Sequence, residues 1–213
     1  GQPLDASRYF IVIPDALGTG RSSKPSDGMR AAFPRYTYDD MVRAQHRLIT
    51  EGLGIGRLRL ILGNSMGGMM AWVWATEYPD LMDAIVPLAS QPTAMSSRNW
   101  MLRRLMIETV RRDPAYLNGD YVAQPPSLRI ANVVYATGTN GGTLALQRAA
   151  PTRADDDRST PETGLTERAI ARIPNARLLL IPASADTLGH GTTGNARFWR
   201  EDLANFMQSL PSS

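Results

Sequence analysis

The sequence predicts an α/β fold, with a mostly parallel sheet flanked by helices and a helical cap inserted into it, and three observations carry that prediction. Short apolar runs alternate with longer stretches of helical periodicity, the links between them are short, and the pattern turns wholly helical between residues 91 and 153 before it resumes. Parallel neighbours need a crossover of about a dozen residues, which the intervening helical stretches supply. A chain of 213 residues can bury one substantial core, or a smaller core that carries an inserted cap. The division read from the pattern is a first part of the core at 1–90, a helical cap at 91–153 and the remainder of the core at 154–213.

The first strand expected is Arg8-Tyr9-Phe10-Ile11-Val12-Ile13-Pro14, closed by Asp15 and a turn at Gly18 and Gly20. After a polar loop at 21–35, Thr37 can cap a helix with Asp40 three residues on, and Met41, Ala44, Leu48 and Ile49 recur at helical spacing until Gly52 and Gly54 end it. Leu58-Arg59-Leu60-Ile61-Leu62 is the next strand, stopped by Gly63. An apolar helix then runs from about Met66 to Tyr78, where Pro79 stops it. Ala84-Ile85-Val86-Pro87-Leu88-Ala89 completes the alternation.

Helical segments are expected at 100–112 and 128–135, broken by Pro125-Pro126 and by a loop at 138–142. The core pattern returns with a helix near 161–173 and a strand at 177–182. It ends with a helix whose Trp199, Leu203, Phe206, Met207 and Leu210 form one apolar stripe.

Composition narrows the function classes. The net charge is +3 and the arginines are dispersed, with Arg103-Arg104 and Arg111-Arg112 reading as a solvated helix face, so nucleic acid is not an expected partner. The absence of cysteine removes disulfides, thiolate catalysis and cysteine-ligated metals. Two histidines, His46 and His190, are too few for a histidine-rich metal site. No apolar stretch reaches the ~20 residues that span a bilayer.

The pentapeptide Gly63-Asn64-Ser65-Met66-Gly67 lies between a buried strand and an apolar helix, where a strained elbow can lift a serine hydroxyl clear of the sheet. Gly63 and Gly67 are read as the positions at which a side chain would collide with neighbouring backbone. The backbone N–H of Met66, at the positive end of the helix, can donate to an oxyanion forming on a substrate carbonyl. Ser65 is therefore the candidate nucleophile.

A serine hydroxyl needs a base to take its proton. His46 lies within a helix and reads as an ordinary partly buried residue. His190 follows the last strand in Leu188-Gly189-His190-Gly191-Thr192, and loops beyond strand ends are where open α/β sheets place active sites, so His190 is the candidate base. A carboxylate between serine and histidine in chain order must hold the imidazole in one tautomer, and the run Asp155-Asp156-Asp157 before Pro161-Glu162 supplies the candidates.

With these residues in view, the chain resembles the α/β-hydrolase superfamily, in the branch that contains homoserine O-acetyltransferase-like proteins. The resemblance rests on Tyr9-Phe10-Ile11-Val12-Ile13-Pro14-Asp15 leading to Gly18-Thr19-Gly20-Arg21-Ser22, on Gly63-Asn64-Ser65-Met66-Gly67-Gly68-Met69, on Tyr78-Pro79-Asp80 and on Gly189-His190. It implies Ser65 as nucleophile and His190 as base. It places the acid six residues before Glu162, at Asp156, with Asp157 in reserve. It also implies that the helical cap covers the pocket and selects the acyl group.

Two departures from the family pattern shape a further expectation. The family has sheet strands, and a His-Gly loop that gives a second oxyanion donor, ahead of the position where this chain starts. The family's acid also follows an apolar strand, whereas residues 149–154 lack strand character. A longer natural chain is therefore expected, with a segment before Gly1 and a stretch between about Thr152 and Asp155 absent here. The compartment stays open between the cytoplasm and, where a missing N-terminus carried a signal, the periplasm or exterior.

The function expected is a serine hydrolase, esterase-like, that cleaves an ester or related acyl compound through an acyl-enzyme on Ser65. It would need no metal and no cofactor, its partner is a small acyl substrate, and a homodimer is compatible with the chain. Two alternatives stand beside it: an O-acyltransferase of the homoserine O-acetyltransferase type with acetyl-CoA as co-substrate, and a non-catalytic binding protein that keeps the fold. The small polar run Gly191-Thr192-Thr193-Gly194 differs from the family's transferases, so their acceptor contacts do not carry over and water can serve as acceptor.

Overall fold

The computed structural model describes residues 2–140 and 164–211, with side chains described up to residue 136 in the helix that ends at Asn140. Two compact units make up the chain, one of Gly1–Ser90 with Ala196–Ser213 and one of Gln91–Asn195.

The first unit is built on two parallel strands, β1 (Ile61–Asn64) and β2 (Ile85–Leu88), with Ile61 opposite Ile85 and Asn64 opposite Leu88. A single bridge between Leu58 and Met82 extends the pairing toward the strand starts. Helix α1 (Tyr38–Arg47) precedes the strands, and α2 (Met66–Glu77) makes the crossover between them. The α1 start is fixed locally. Thr37 Oγ1 accepts the Asp40 N–H at 3.4 Å, and the Asp40 carboxylate accepts the Thr37 N–H at 2.9 Å, the reciprocal capping expected from the sequence.

Helix α2 is apolar on nearly every side, as a helix buried against a sheet must be. Trp74, Met70, Met41, Val42, Ile49 and Met82 form the core of the unit, and each such side chain removed from water contributes about 1.5–3 kcal/mol. Trp74 satisfies its indole N–H with Gln45 Oε1 at 3.1 Å. The expected α1 stripe needs one correction: Met41 and Ile49 are buried, but Ala44 and Leu48 are exposed and Val42 takes the inward place. The helix winds into a π-turn at Leu48–Gly52 before Gly54 turns the chain at φ +66°.

Residues 8–14 are not a strand. Val12 packs on the core, but Phe10 is 79% and Ile13 88% exposed, and the described sheet contains β1 and β2 alone. An apolar run becomes a strand only when a neighbour pairs with it, and no described strand does so here. The same holds for residues 177–182 in the second unit, where Leu178, Leu179 and Leu180 are 38–62% exposed.

The last helix, α6 (Arg200–Ser209), turns Leu203 and Met207 inward, with Trp199, Phe206 and Leu210 half-buried beside them, as the stripe predicts. Its end is held by Arg59, which donates to the Pro211 carbonyl at 2.6 Å and pairs with Asp83 at 2.8 Å; Arg57 Nε donates to the same carboxylate at 2.7 Å. The Arg59 guanidinium, then Arg57, holds the Asp83 carboxyl below its ordinary value of 3.8. This contribution to stability is complete above that ordinary value and is lost as pH falls through the lower folded value. Asp83→Asn is accordingly expected to lower Tm at pH 7, and to flatten its decline below pH 3.8, in thermal melts across pH.

In the second unit α3 (Ser97–Arg111) packs against α4 (Leu128–Asn140), followed by the short α5 (Leu165–Ile170). Asp113 ties the connection between α3 and α4, its carboxylate accepting the Ala115 and Ser127 N–H groups at 2.9 Å each. Arg104 and Arg112 both pair with Glu108, in keeping with a solvated face on α3. The loop expected at 138–142 is helix over its first three residues, because α4 runs through Gly138 to Asn140, and a glycine in a helix costs only about 1 kcal/mol and does not end it; 141–142 lie outside the described residues.

Candidate active site

β1 ends at Asn64 and α2 begins at Met66, so Ser65 alone makes the turn from strand to helix. Its backbone sits at φ 56°, ψ −115°, a conformation that costs a non-glycine residue about 1–3 kcal/mol. The surrounding bonds over-determine that conformation. The Ser65 N–H donates to the Leu88 carbonyl at 2.8 Å, carrying the β1–β2 ladder one step past the strand end, and the Ser65 carbonyl accepts the Met69 N–H at 3.1 Å as the first bond of α2. The N–H groups of Met66, Gly67 and Gly68 precede that bond and lie at the positive end of the helix. Ser65 is half-buried, and Met66 is 38% exposed.

The glycines have distinct parts. A Cβ on Gly63 would run into the Gly67 carbonyl and lie 2.7 Å from the Gly68 nitrogen, so β1 and α2 approach too closely for any side chain there. Gly67 was expected to be equally crowded, but a Cβ on it meets nothing within 4 Å. The second crowded position is Gly68, where a Cβ would strike Ser90 and come within 3.0 Å of the Gly63 carbonyl. Gly63→Ala is expected to destabilise by about 1–3 kcal/mol and disturb the elbow, whereas Gly67→Ala stays within about 1 kcal/mol of the parent. Paired denaturant titrations measure both.

The site lies where the carboxyl ends of parallel strands open, the usual place for a ligand in open α/β sheets. β2 leaves that end through Ala89, itself at φ 47°, and Ser90, whose buried Oγ finds no hydrogen-bond partner among the described residues.

His190 belongs to the second unit and is 8% exposed, in a tight turn at Gly189–Gly194 that packs against α4. Gly189 enters the turn at φ 53°, which glycine adopts without steric cost. Thr187 and Thr192, both buried and placed on either side of His190, bond backbone that precedes it: Thr187 bonds Ser184, and Thr192 accepts the Leu188 N–H. These two threonines were not singled out from the sequence; the signal available was the placing of hydroxyl residues three before and two after the histidine.

His46 takes the structural part read for it. It stacks on Tyr78 with ring centroids 4.0 Å apart and planes 12° from parallel, with Trp74 beside the pair. Asp155, Asp156 and Asp157 lie outside the described residues. Among the described residues no group of His, Asp and Glu is placed to hold a metal ion, and no helix is long and apolar enough to cross a membrane.

Comparison with known proteins agrees with this architecture. A homoserine O-succinyltransferase of Magnetococcus marinus is 38% identical over 133 residues, which cover 59% of this chain and 33% of that protein. A homoserine O-acetyltransferase of Thermobifida fusca is 37% identical over 155 residues, covering 65% of this chain and 40% of that one. The matched part thus spans about a third of these relatives' length. Among solved structures, an acetylester hydrolase from Corynebacterium glutamicum superimposes with a TM-score of 0.74 at 20% identity, over 98% of this chain and 79% of that one, a likeness of fold. Residues 1–128 match the model of the alpha/beta hydrolase fold, and with well over half its length so matched the chain belongs to the α/β-hydrolase fold family.

Proposed function

We propose that the chain is a serine hydrolase that cleaves an ester or related acyl compound through an acyl-enzyme on Ser65. The observation that supports it best is the positive-φ backbone of Ser65 at a strand-to-helix turn, kept at a cost in stability two residues after a glycine whose place has no room for a Cβ.

In this reading the Ser65 hydroxyl proton passes to His190 as Oγ bonds to the substrate carbonyl carbon. The carbonyl oxygen becomes an oxyanion that accepts the Met66 N–H, a donor whose loss costs about 3 kcal/mol in comparable sites. The ester C–O bond then breaks, and the departing alcohol takes the proton from His190. Water next gives a proton to His190 and adds to the acyl carbon; the Ser65–acyl bond breaks, the acid leaves, and Ser65 regains its proton. Asp156 holds the His190 ring in the tautomer that can accept from serine, with Asp157 in reserve. The substrate is a small acyl compound, and no cofactor takes part.

A second reading is favoured by the names of the relatives. An alcohol such as homoserine would replace water as acceptor, and acetyl-CoA would supply the acyl group. The two share every step up to the acyl-enzyme, so the acceptor decides between them. The test is acetate release from an aryl acetate with and without homoserine. The hydrolase reading expects acetate at the same rate in both; O-acetylhomoserine formed at the expense of acetate would replace it with the transferase.

A further inference from the structure

The turn that presents His190 is closed by a side chain as well as by backbone. The Gly191 N–H donates to the Leu188 carbonyl at 3.0 Å, and the Asn195 N–H to the Thr192 carbonyl at 3.0 Å. Between them the Leu188 N–H donates to Thr192 Oγ1 at 2.8 Å, so a hydroxyl joins the two ends of the segment that has His190 at its centre. Thr192 is 6% exposed. Just upstream, buried Thr187 Oγ1 accepts the Ser184 N–H at 2.9 Å and donates to the Ser184 carbonyl at 2.9 Å, fixing the approach to the turn.

A segment with glycines at 189, 191 and 194 has little stiffness of its own, because glycine has the largest conformational freedom to lose. A Cβ on Gly191 would meet only Leu188 Cβ, at 3.6 Å, an ordinary contact, so crowding at Gly191 does not fix the backbone there. The Thr192 hydroxyl supplies a restraint that the glycines lack, and without it the Leu188 N–H loses its partner.

We infer that Thr192 is a positioning residue for His190, its hydroxyl holding the turn in the one shape that presents the imidazole for proton transfer. This inference rests on the reading of His190 as the base. Thr192 acts through the turn and is assigned no contact with substrate, so its loss acts on kcat and leaves KM nearly unchanged. A displacement of about 1 Å in such a group can cost about a hundredfold in rate.

The experiment compares Thr192→Val, Thr192→Ser and His190→Gln in steady-state hydrolysis of an aryl acetate by the whole chain. T192V is expected to lower kcat by about tenfold or more with KM changed by less than about twofold, while T192S keeps kcat near the parent value. A folded T192V with parental kcat, or T192V and T192S falling together, would overturn the inference. Where T192V does not fold, Thr192→Cys takes its place, since a thiol is a weak acceptor, and equal kcat in T192C and T192S would likewise overturn it. H190Q separates the two levels: full activity in H190Q removes the base reading itself, whereas loss in H190Q beside a parental T192V removes the positioning role alone.

Discussion

Ser65→Ala is expected to reduce turnover of an aryl acetate by at least about a thousandfold while leaving the melting temperature within a few degrees of the parent. The rate falls because the atom that forms the covalent bond is gone. The fold stays because the backbone ties of Ser65 to its neighbours, to the Leu88 carbonyl and from the Met69 N–H, survive the substitution. A companion variant sharpens the point. Alanine at φ 56° keeps the strain that serine bears, whereas Ser65→Gly relieves it, so S65G is expected to be about 1 kcal/mol more stable than S65A and equally inactive. Turnover assays beside denaturant titrations of the three proteins check this; stability that follows activity downward would mark Ser65 as a structural residue.

The second large effect is expected at the acid. Asp156→Asn should lower kcat by about 10³–10⁴-fold, because an amide at that place favours the imidazole tautomer that cannot take the serine proton. Asp157→Asn should change it little. Kinetics of the two variants check the assignment, and small equal effects would mean that the acid lies elsewhere in the chain.

Those features of the fold that depend on neighbours in sequence were legible. Thr37 and Asp40 are three residues apart and cap α1 reciprocally, as read. The α2 helix with its Pro79 stop and the two strands around it follow from the apolar runs, but Gly63 does not stop β1, which continues through it to Asn64, and β2 carries Pro87 within it. What the apolar runs at 8–14 and 177–182 could not reveal is pairing, since hydrophobicity reports a tendency to be buried and not the presence of a neighbour. The α1 stripe slipped for a different reason. Which face of α1 turns inward depends on where α2 packs, with Gln45 accepting the Trp74 indole N–H, and spacing within α1 does not encode that.

The candidate site divides in the same way. Ser65 stood out because the strained turn demands small neighbours, and Gly63 is indeed one that only glycine can fill. That Gly68 shares this crowding, and Gly67 does not, depends on where Ser90 passes after β2, twenty-two residues on from Gly68, which spacing within the motif does not encode. Thr192 read only as part of the small polar run Gly191-Thr192-Thr193-Gly194, and Thr187 carried no signal of its own. Thr192 is buried in the His190 turn, which packs on α4, a contact between segments far apart in the chain.

Reaction of the folded chain with a fluorophosphonate, followed by peptide mapping of the adduct, tests most directly whether Ser65 is a nucleophile. About one adduct per chain is expected, located on Ser65 and absent from S65A. A folded chain that forms no adduct, or one whose adduct lies on another residue and persists in S65A, would contradict that role and leave the fold as a binding scaffold.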